Sequence, residues 1–457
     1  MLVRWGTSEK NLNHRPTGPL CQEAGDFTGR AEITGLPAGQ RIAYEVTFED
    51  LAAKNSLSEP VRGSFQTPPA DRQREVKLIW GGDVCGQGWG IDPARGGMTT
   101  FETMRRTQAD LFLHSGDTIY ADGPLAPDVK LPDGQIWRNI VTPEKAKVAE
   151  TLAEFRGNHR YNLLDTNVRR FNSEIAQVWQ WDDHEVLNNW SPSKDLSADK
   201  RYGEKRMLTL VERARQAFLE YAPVRRTPGA PERIYRRIPY GPQLDVFVID
   251  MRSYRGPNTF NRETNETAFL GRPQVTWLME GLRRSRATWK VIASDMPIGL
   301  LVGDGKDAQG RAMFENTANG NGAALGREIE MARLLAALKQ ARVRNTVWIT
   351  ADTHYTAAHH YHPDRAQFNN FLPFWEFMSG PLHAGTFGPG VTDDTFGIEV
   401  KYQKHPAAGQ GGMGPSGGMQ FFGEIQIAAG TGELVTTLRD MTGAALHTQR
   451  LSPAASR

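Results

Sequence analysis

The chain has 457 residues, a formal net charge of +2, 39% hydrophobic and 23% charged residues. That length is too great for one small core and predicts two domains, one of them large. Ordinary composition and balanced charge exclude a disordered chain and give no basic field for nucleic acid or a membrane surface.

The opening "MLVRWGTSEKN" has no apolar h-region, so it is not a signal peptide. Leu2–Trp5 already reads as a strand, as in a chain whose leader has been removed. Residues 1–67 alternate with the period of strands through "LVRW", "AEITGL", "RIAYEVTF" and "VRGSFQT", broken by Gly, Pro and Asn. They predict a small N-terminal β-sandwich. Polar, Pro-bearing residues 68–75 read as a linker, and residues 76–457 as the second domain.

From Val76 the pattern changes. Six apolar stretches, "VKLIWGGD", "LFLHSGD", "AQVWQWDD", "LDVFVID", "WKVIASD" and "TVWITAD", each end at aspartate. Helical stretches at 100–108, 202–221, 271–285 and 326–342 alternate with them, so the fold class is α/β. Residues 419–451 return to period-two alternation with "GTG" and "TGA" turns, predicting a closing antiparallel hairpin pair. The segment "GQGGMGPSGG" (409–418) reads as a mobile loop. No run of about 18 apolar residues occurs, so no transmembrane helix is expected.

One aspartate at a strand end can simply cap the next helix. Here several strand ends add a second donor. "GGDVCG" carries Asp83 and Cys85, "HSGDTIY" Asp117 and Tyr120, "WDDHE" Asp182 to Glu185, "ASDMP" Asp295, and "TADTHY" Asp352 and His354. Carboxylate, imidazole, thiolate and phenolate form a donor set for hard or borderline cations. A spacing of two at a strand end suggests that Asp83 and Cys85 turn toward one ion. Cys21 and Cys85 are too few for a disulfide framework; one bridge is possible but not required.

This order of motifs resembles the metallophosphoesterase superfamily and, within it, the PhoD-like alkaline phosphatases. "GDTIY" resembles the tyrosine variant of purple acid phosphatases. "WDDHEVLNNW", "VIDMRSYR", "LGRPQVTWL" and "GSFQTPP" look specifically PhoD-like. The resemblance covers essentially the whole chain. It implies a metallophosphoesterase-type two-sheet β-sandwich flanked by helices, preceded by an Ig/Fn3-like β domain. Cys85, Asp295 and Asp352 stand where histidines are usual, and this oxygen-rich set favours Fe³⁺ and Ca²⁺ over a pair of zincs. Other divalent ions, Mn²⁺, Mg²⁺ or Zn²⁺, are the alternative.

The resemblance also implies roles. Asp117 bridges two metals. Asp83, Cys85, Tyr120 and His354 hold the iron-like ion, with colour from Tyr120 and Cys85. Asp183, Asp352 and Asp295 hold the second ion, and a metal-bound water attacks the phosphate. His184 protonates the leaving oxygen or touches the phosphate, and Glu185 orients it. Asn188 and Asn189 donate to phosphate oxygens or to groups behind the metal ligands, Arg252 clamps the phosphate, and Asp250 fixes Arg252. The histidines of "AAHHYHP", His359, His360 and His362, read as surface residues, and His383 as lining the site.

The expected activity is phosphomonoester or phosphodiester hydrolysis. The alternatives are a phospholipase-D-like activity on the same site and a non-catalytic, metal-stabilised binding protein. Phosphate-ester small molecules or phospholipid headgroups are the expected partners. The family implies a periplasmic or secreted location; otherwise the chain is cytoplasmic.

Overall fold

The strand Val76–Gly81 shows how the central layers form. Leu78 and Trp80 face one side and Ile79 the other, and all three are fully buried. A strand buried on both faces reads as a continuous apolar run rather than an alternation. The computed structural model that gives this architecture describes residues 1–53, 56–320 and 322–454.

Val76–Gly81 lies in a six-stranded sheet. Leu111–Ser115 and Ala176–Gln180 run parallel on one side of it. The antiparallel tail Phe421–Ile427, Leu434–Asp440 and Ala445–Leu451 completes the other side, as the alternation of 419–451 predicts. A seven-stranded sheet holds Leu244–Val248, Trp289–Ala293, Thr346–Thr350 and Phe374–Met378 in parallel, flanked by the antiparallel strands Arg236–Tyr240, Thr356–Tyr361 and Ile398–Lys404.

The inner faces of the two sheets share one core. Leu78, Trp80 and Leu113 from the first sheet pack with Val246, Val291 and Ile349 from the second. Each such side chain, fully withdrawn from water, contributes about 1.5–3 kcal/mol. Trp80 also donates its indole N–H to the Thr350 carbonyl at 3.2 Å, tying the sheets together near their carboxyl ends.

Helices cover the outer faces. Arg272–Arg284 and Arg327–Gln340 set Leu278 and Leu334 against Phe247 and Trp348. Thr99–Arg106 and Thr166–Glu174 set Phe101 and Phe171 against Ile79 and Phe112. Met207–Tyr221 packs beside Trp181 and Trp190. The predicted 202–221 helix thus begins at Met207. The helices Leu152–Asn162 and Thr166–Glu174 are not among the expected ones. Thr151 with Glu154 forms a capping box for the first, and Asp165 caps the second.

Among its described residues the N-terminal region forms a three-stranded antiparallel sheet of Leu2–Gly6, Arg41–Thr47 and Val61–Gln66 and a two-stranded pair, Glu49–Asp50 with Ser56–Leu57. The "AEITGL" stretch lies outside any strand. This sheet leans on the helices: Tyr44 donates to the Ser173 carbonyl at 3.0 Å, and Arg30 to that of Ala222 at 2.9 Å. The segment 409–418, expected to be mobile, is bonded. Gly412 donates to the Thr386 carbonyl at 2.7 Å and accepts from Trp89 at 3.1 Å. No helix among the described residues is long and apolar enough to cross a membrane.

Candidate metal centre

Both sheets turn the carboxyl ends of their parallel strands toward the same place, where functional residues of layered α/β folds gather. Asp83, Asp117 and Asp182–Asp183 follow strands of the first sheet; Asp250, Asp295 and Asp352 follow strands of the second. Asp83, Asp117, Asp352 and His354 all have positive φ, between 49° and 67°. Such backbone costs about 1–3 kcal/mol per residue and persists where the surroundings impose it, as at functional sites. Two glycines make room. A Cβ on Gly380 would lie 2.2 Å from Asp83 Oδ2, and one on Gly116 2.5 Å from Asp182 Cβ.

The candidate ligands form three overlapping groups. Asp83, Asp117 and His354 make the first, Asp117, Asp183 and His184 the second, and Asp182, Asp183 and Asp352 the third. Within each group the donor atoms lie within 4.8 Å of one another. Asp117 and Asp183 each belong to two groups. Tyr120 joins the first: its hydroxyl lies 2.8 Å from His354 Nε2.

The electrostatics suit cations. Asp83 Oδ1 and Oδ2, Asp182 Oδ2 and Asp183 Oδ1 are buried without a hydrogen-bond partner. Burial pushes Asp83 up to about 8, and pushes Asp117, Asp182 and Asp352 well above the carboxylate range. Buried carboxylates are normally paired or coordinate metals, because an uncompensated buried charge is costly. The oxygen-rich donor set therefore fits metal ions.

His184 differs from its neighbours. Its side chain is 13% exposed, and Nδ1 lies 2.6 Å from Asp122 Oδ1. Burial lowers its pKa, but Asp122, Asp183 and Asp117 outweigh burial and hold it well above the usual histidine value. Its expected partner, Glu185, does something else. Glu185 accepts from the Thr118 amide and hydroxyl, each at 2.7 Å, and from the Asp182 amide at 2.8 Å. It fastens the two loops that carry Asp117 and Asp182. Asp122, two residues past Tyr120 in "GDTIYAD", is the partner that the sequence reading missed.

Cys85 does not reach the cluster. Beyond Gly81 the chain is no longer extended, and Asp83 and Cys85 both have left-handed φ, so the strand rule that residues two apart point the same way does not apply to them. Cys85 packs with Ile79, Ile91 and Met98, its nearby charges are Lys145 and Asp165, and burial pushes its thiol up to about 12. No cysteine belongs to a candidate ligand group among the described residues. Both cysteines are free thiols. Cys85→Ala is expected to keep metal content and turnover unchanged while lowering stability by ~1 kcal/mol. Elemental analysis, kcat and Tm check this, and lost metal with an unchanged fold would restore Cys85 as a ligand.

Arg252 is not open to a phosphate. It is fully buried, 2.6 Å from Asp182 Oδ1 through Nε and 2.5 Å from Glu315 Oε2 through Nη1, with Asp295 Oδ2 at 3.4 Å. Removing one member of such a buried network costs ~3–5 kcal/mol. Asp295 makes an ion pair with Arg252 although both its carboxylate oxygens lack a hydrogen bond, and it stands outside the three groups, while Asp182 stands inside one. Asp250 holds the Arg252 amide at 3.0 Å and the Trp181 indole at 3.0 Å rather than the guanidinium. Asn188 is exposed, and its amide donates to Asp122 Oδ2 at 2.9 Å. His359, expected at the surface, is buried against Glu376 at 2.9 Å, and His383 is bonded to the Gly90 carbonyl at 2.9 Å.

A two-sheet sandwich that gathers carboxylates and histidines at its strand ends is the fold of metal-dependent phosphatases. The structure titled "Structure of PhoD" superposes with a TM-score of 0.68 at 18% identity, covering 99% of this chain and 86% of that one. Purple acid phosphatase PPD1 from yellow lupin (Lupinus luteus) seeds superposes at 0.55 with 12% identity, over 99% of this chain and 69% of that one. Residues 78–438 match the PhoD-like phosphatase family, and the chain belongs to it. Alkaline phosphatase D of Bacillus subtilis (strain 168) is 26% identical over 349 residues, which is 73% of this chain and 55% of that protein. The match thus spans about half the length of that relative.

Proposed function

We propose that the protein hydrolyses phosphate esters, diesters ahead of monoesters, at the centre built on Asp117. The supporting observation is the chain of groups joined through Asp117 and Asp183, in which part-exposed His184, paired with Asp122, is read as the proton donor and not as a ligand. Asp83, Asp117, His354 and Tyr120 would hold one ion, with the phenolate favouring Fe³⁺, and Asp182, Asp183 and Asp352 a second, suited to Ca²⁺. Cations held there neutralise phosphate charge and lower the pKa of water to supply a nucleophile.

The chain's own residues supply the rest. His184, whose pKa Asp122 helps to raise, donates from its other ring nitrogen to the leaving oxygen. Glu185 holds the Asp117 and Asp182 loops in register. The preference for diesters rests on Arg252. A monoester carries one more negative charge, and the guanidinium that would meet it is already committed to Asp182 and Glu315. Exposed Asn188, whose backbone amide shares Asp122 with His184, is the candidate contact for the second ester group. A location outside the cytoplasm, periplasmic or secreted, is proposed from the family resemblance alone.

The test is metal titration into chelator-stripped protein, following bis(p-nitrophenyl) phosphate and p-nitrophenyl phosphate. The expected result is metal-dependent turnover with a higher kcat/KM for the diester. A higher value for the monoester would overturn the preference, and metal binding without turnover of either would overturn the hydrolase reading.

A further inference from the structure

A second charged feature lies at the opposite end of the same strands. A groove of about 690 Å³ is lined by Arg72, Arg283, Arg286, Lys290, Arg342 and Arg344. None of the described lining residues is acidic. Across the whole chain Lys and Arg number 54 against 52 Asp and Glu, so six cations without one acid is a marked segregation.

Among the described residues, none of the six makes an ion pair. Arg284, just outside the groove, does pair, with Glu280 at 3.2 Å. Asp245, whose charge acts on Lys290, is already held by Arg237 at 2.7 Å and by Ser285. The helices Arg272–Arg284 and Arg327–Gln340 both end here. Their carboxyl ends attract cations, but each is worth only about −0.5 charge, so together they offset about one of the six. One further atom lacks a partner: Thr288 Oγ1 is buried in the groove wall without a hydrogen bond.

We propose that this groove binds a linear phosphate-chain polyanion, recognised by charge. Its concave shape suits a threaded chain better than a flat bilayer, and no large exposed apolar side chain borders it for insertion into lipid. No aromatic residue lines it, so it offers no stacking platform for bases. Thr288, Lys290 and Asn345 stand at the amino ends of strands whose carboxyl ends precede Asp295 and Asp352. Five residues of strand span roughly 17 Å. The groove is therefore separate from the metal centre, and its occupancy stands or falls independently of the proposed chemistry.

Isothermal titration calorimetry of the full chain with long-chain inorganic polyphosphate tests the assignment. Binding is expected to weaken steeply between about 50 and 200 mM salt, as for other polyanion contacts. Arg286→Glu with Arg344→Glu should weaken it about tenfold or more, with Tm unchanged because neither side chain is ion-paired. Lys130→Glu, an exposed cation outside the groove, should leave it unchanged. No binding, salt-independent binding, or equal loss in Lys130→Glu would overturn the proposal. So would tighter binding, at equal phosphate, of single-stranded DNA or of phosphatidylglycerol vesicles.

Discussion

Asp117→Asn is expected to lower kcat by ~10³-fold, above the 10–100-fold typical of losing a metal's outer partner, and to release at least one ion, with the fold intact. Asp117 belongs to two of the three ligand groups. Its Oδ1 also accepts from the His184 amide at 3.1 Å. Asparagine has the same shape, tolerates the φ of 49° at this position, and keeps an oxygen for that hydrogen bond. The backbone should therefore not move. What disappears is one negative charge shared between two groups, and a neutral amide oxygen binds a hard cation less well. Metal content after desalting, kcat and Tm, measured together, decide the matter. Full turnover with both ions retained would remove Asp117 from its central place.

His184→Ala should lower kcat by about 10²–10⁴-fold on esters with poor leaving groups, and far less on nitrophenyl esters. An alkoxide leaving group needs a proton as the bond to phosphorus breaks; nitrophenolate does not. Asp122→Asn should produce a weaker version of the same pattern, about 10–100-fold, because the ring remains but loses the carboxylate 2.6 Å from Nδ1. Combined, the two changes should cost little more than His184→Ala alone, since Asp122 acts through the ring. Equal losses on both ester types would show that His184 binds phosphate or positions a ligand. Additive losses would show that Asp122 acts by another route.

The sequence by itself determined the strand ends. Six apolar runs, each closing on aspartate, specify buried strands, and parallel pairing brings their ends to one side within each of the two sheets. Asp83, Asp117, Asp183, Asp352 and His354 stand out as candidate ligands from that pattern and from the order of the motifs. The closing antiparallel strands followed from alternation, which depends only on one chain's period.

Only the tertiary structure decided which neighbours face one another. Residues two apart point the same way along an extended strand, and the spacing of Asp83 and Cys85 suggested a shared ion on that basis. Two left-handed residues beyond Gly81 break that rule and send the thiol into the apolar core. Arg252 follows a strand end and looks available to phosphate, yet Glu315, 63 residues later in the chain, reaches its guanidinium and takes up that charge. His184 precedes Glu185 in sequence, but consecutive side chains diverge, and its ring meets Asp122, 62 residues earlier, instead. Periodicity reports the direction of a side chain within its own element. Charge pairing depends on distances between elements, which only the packed fold sets.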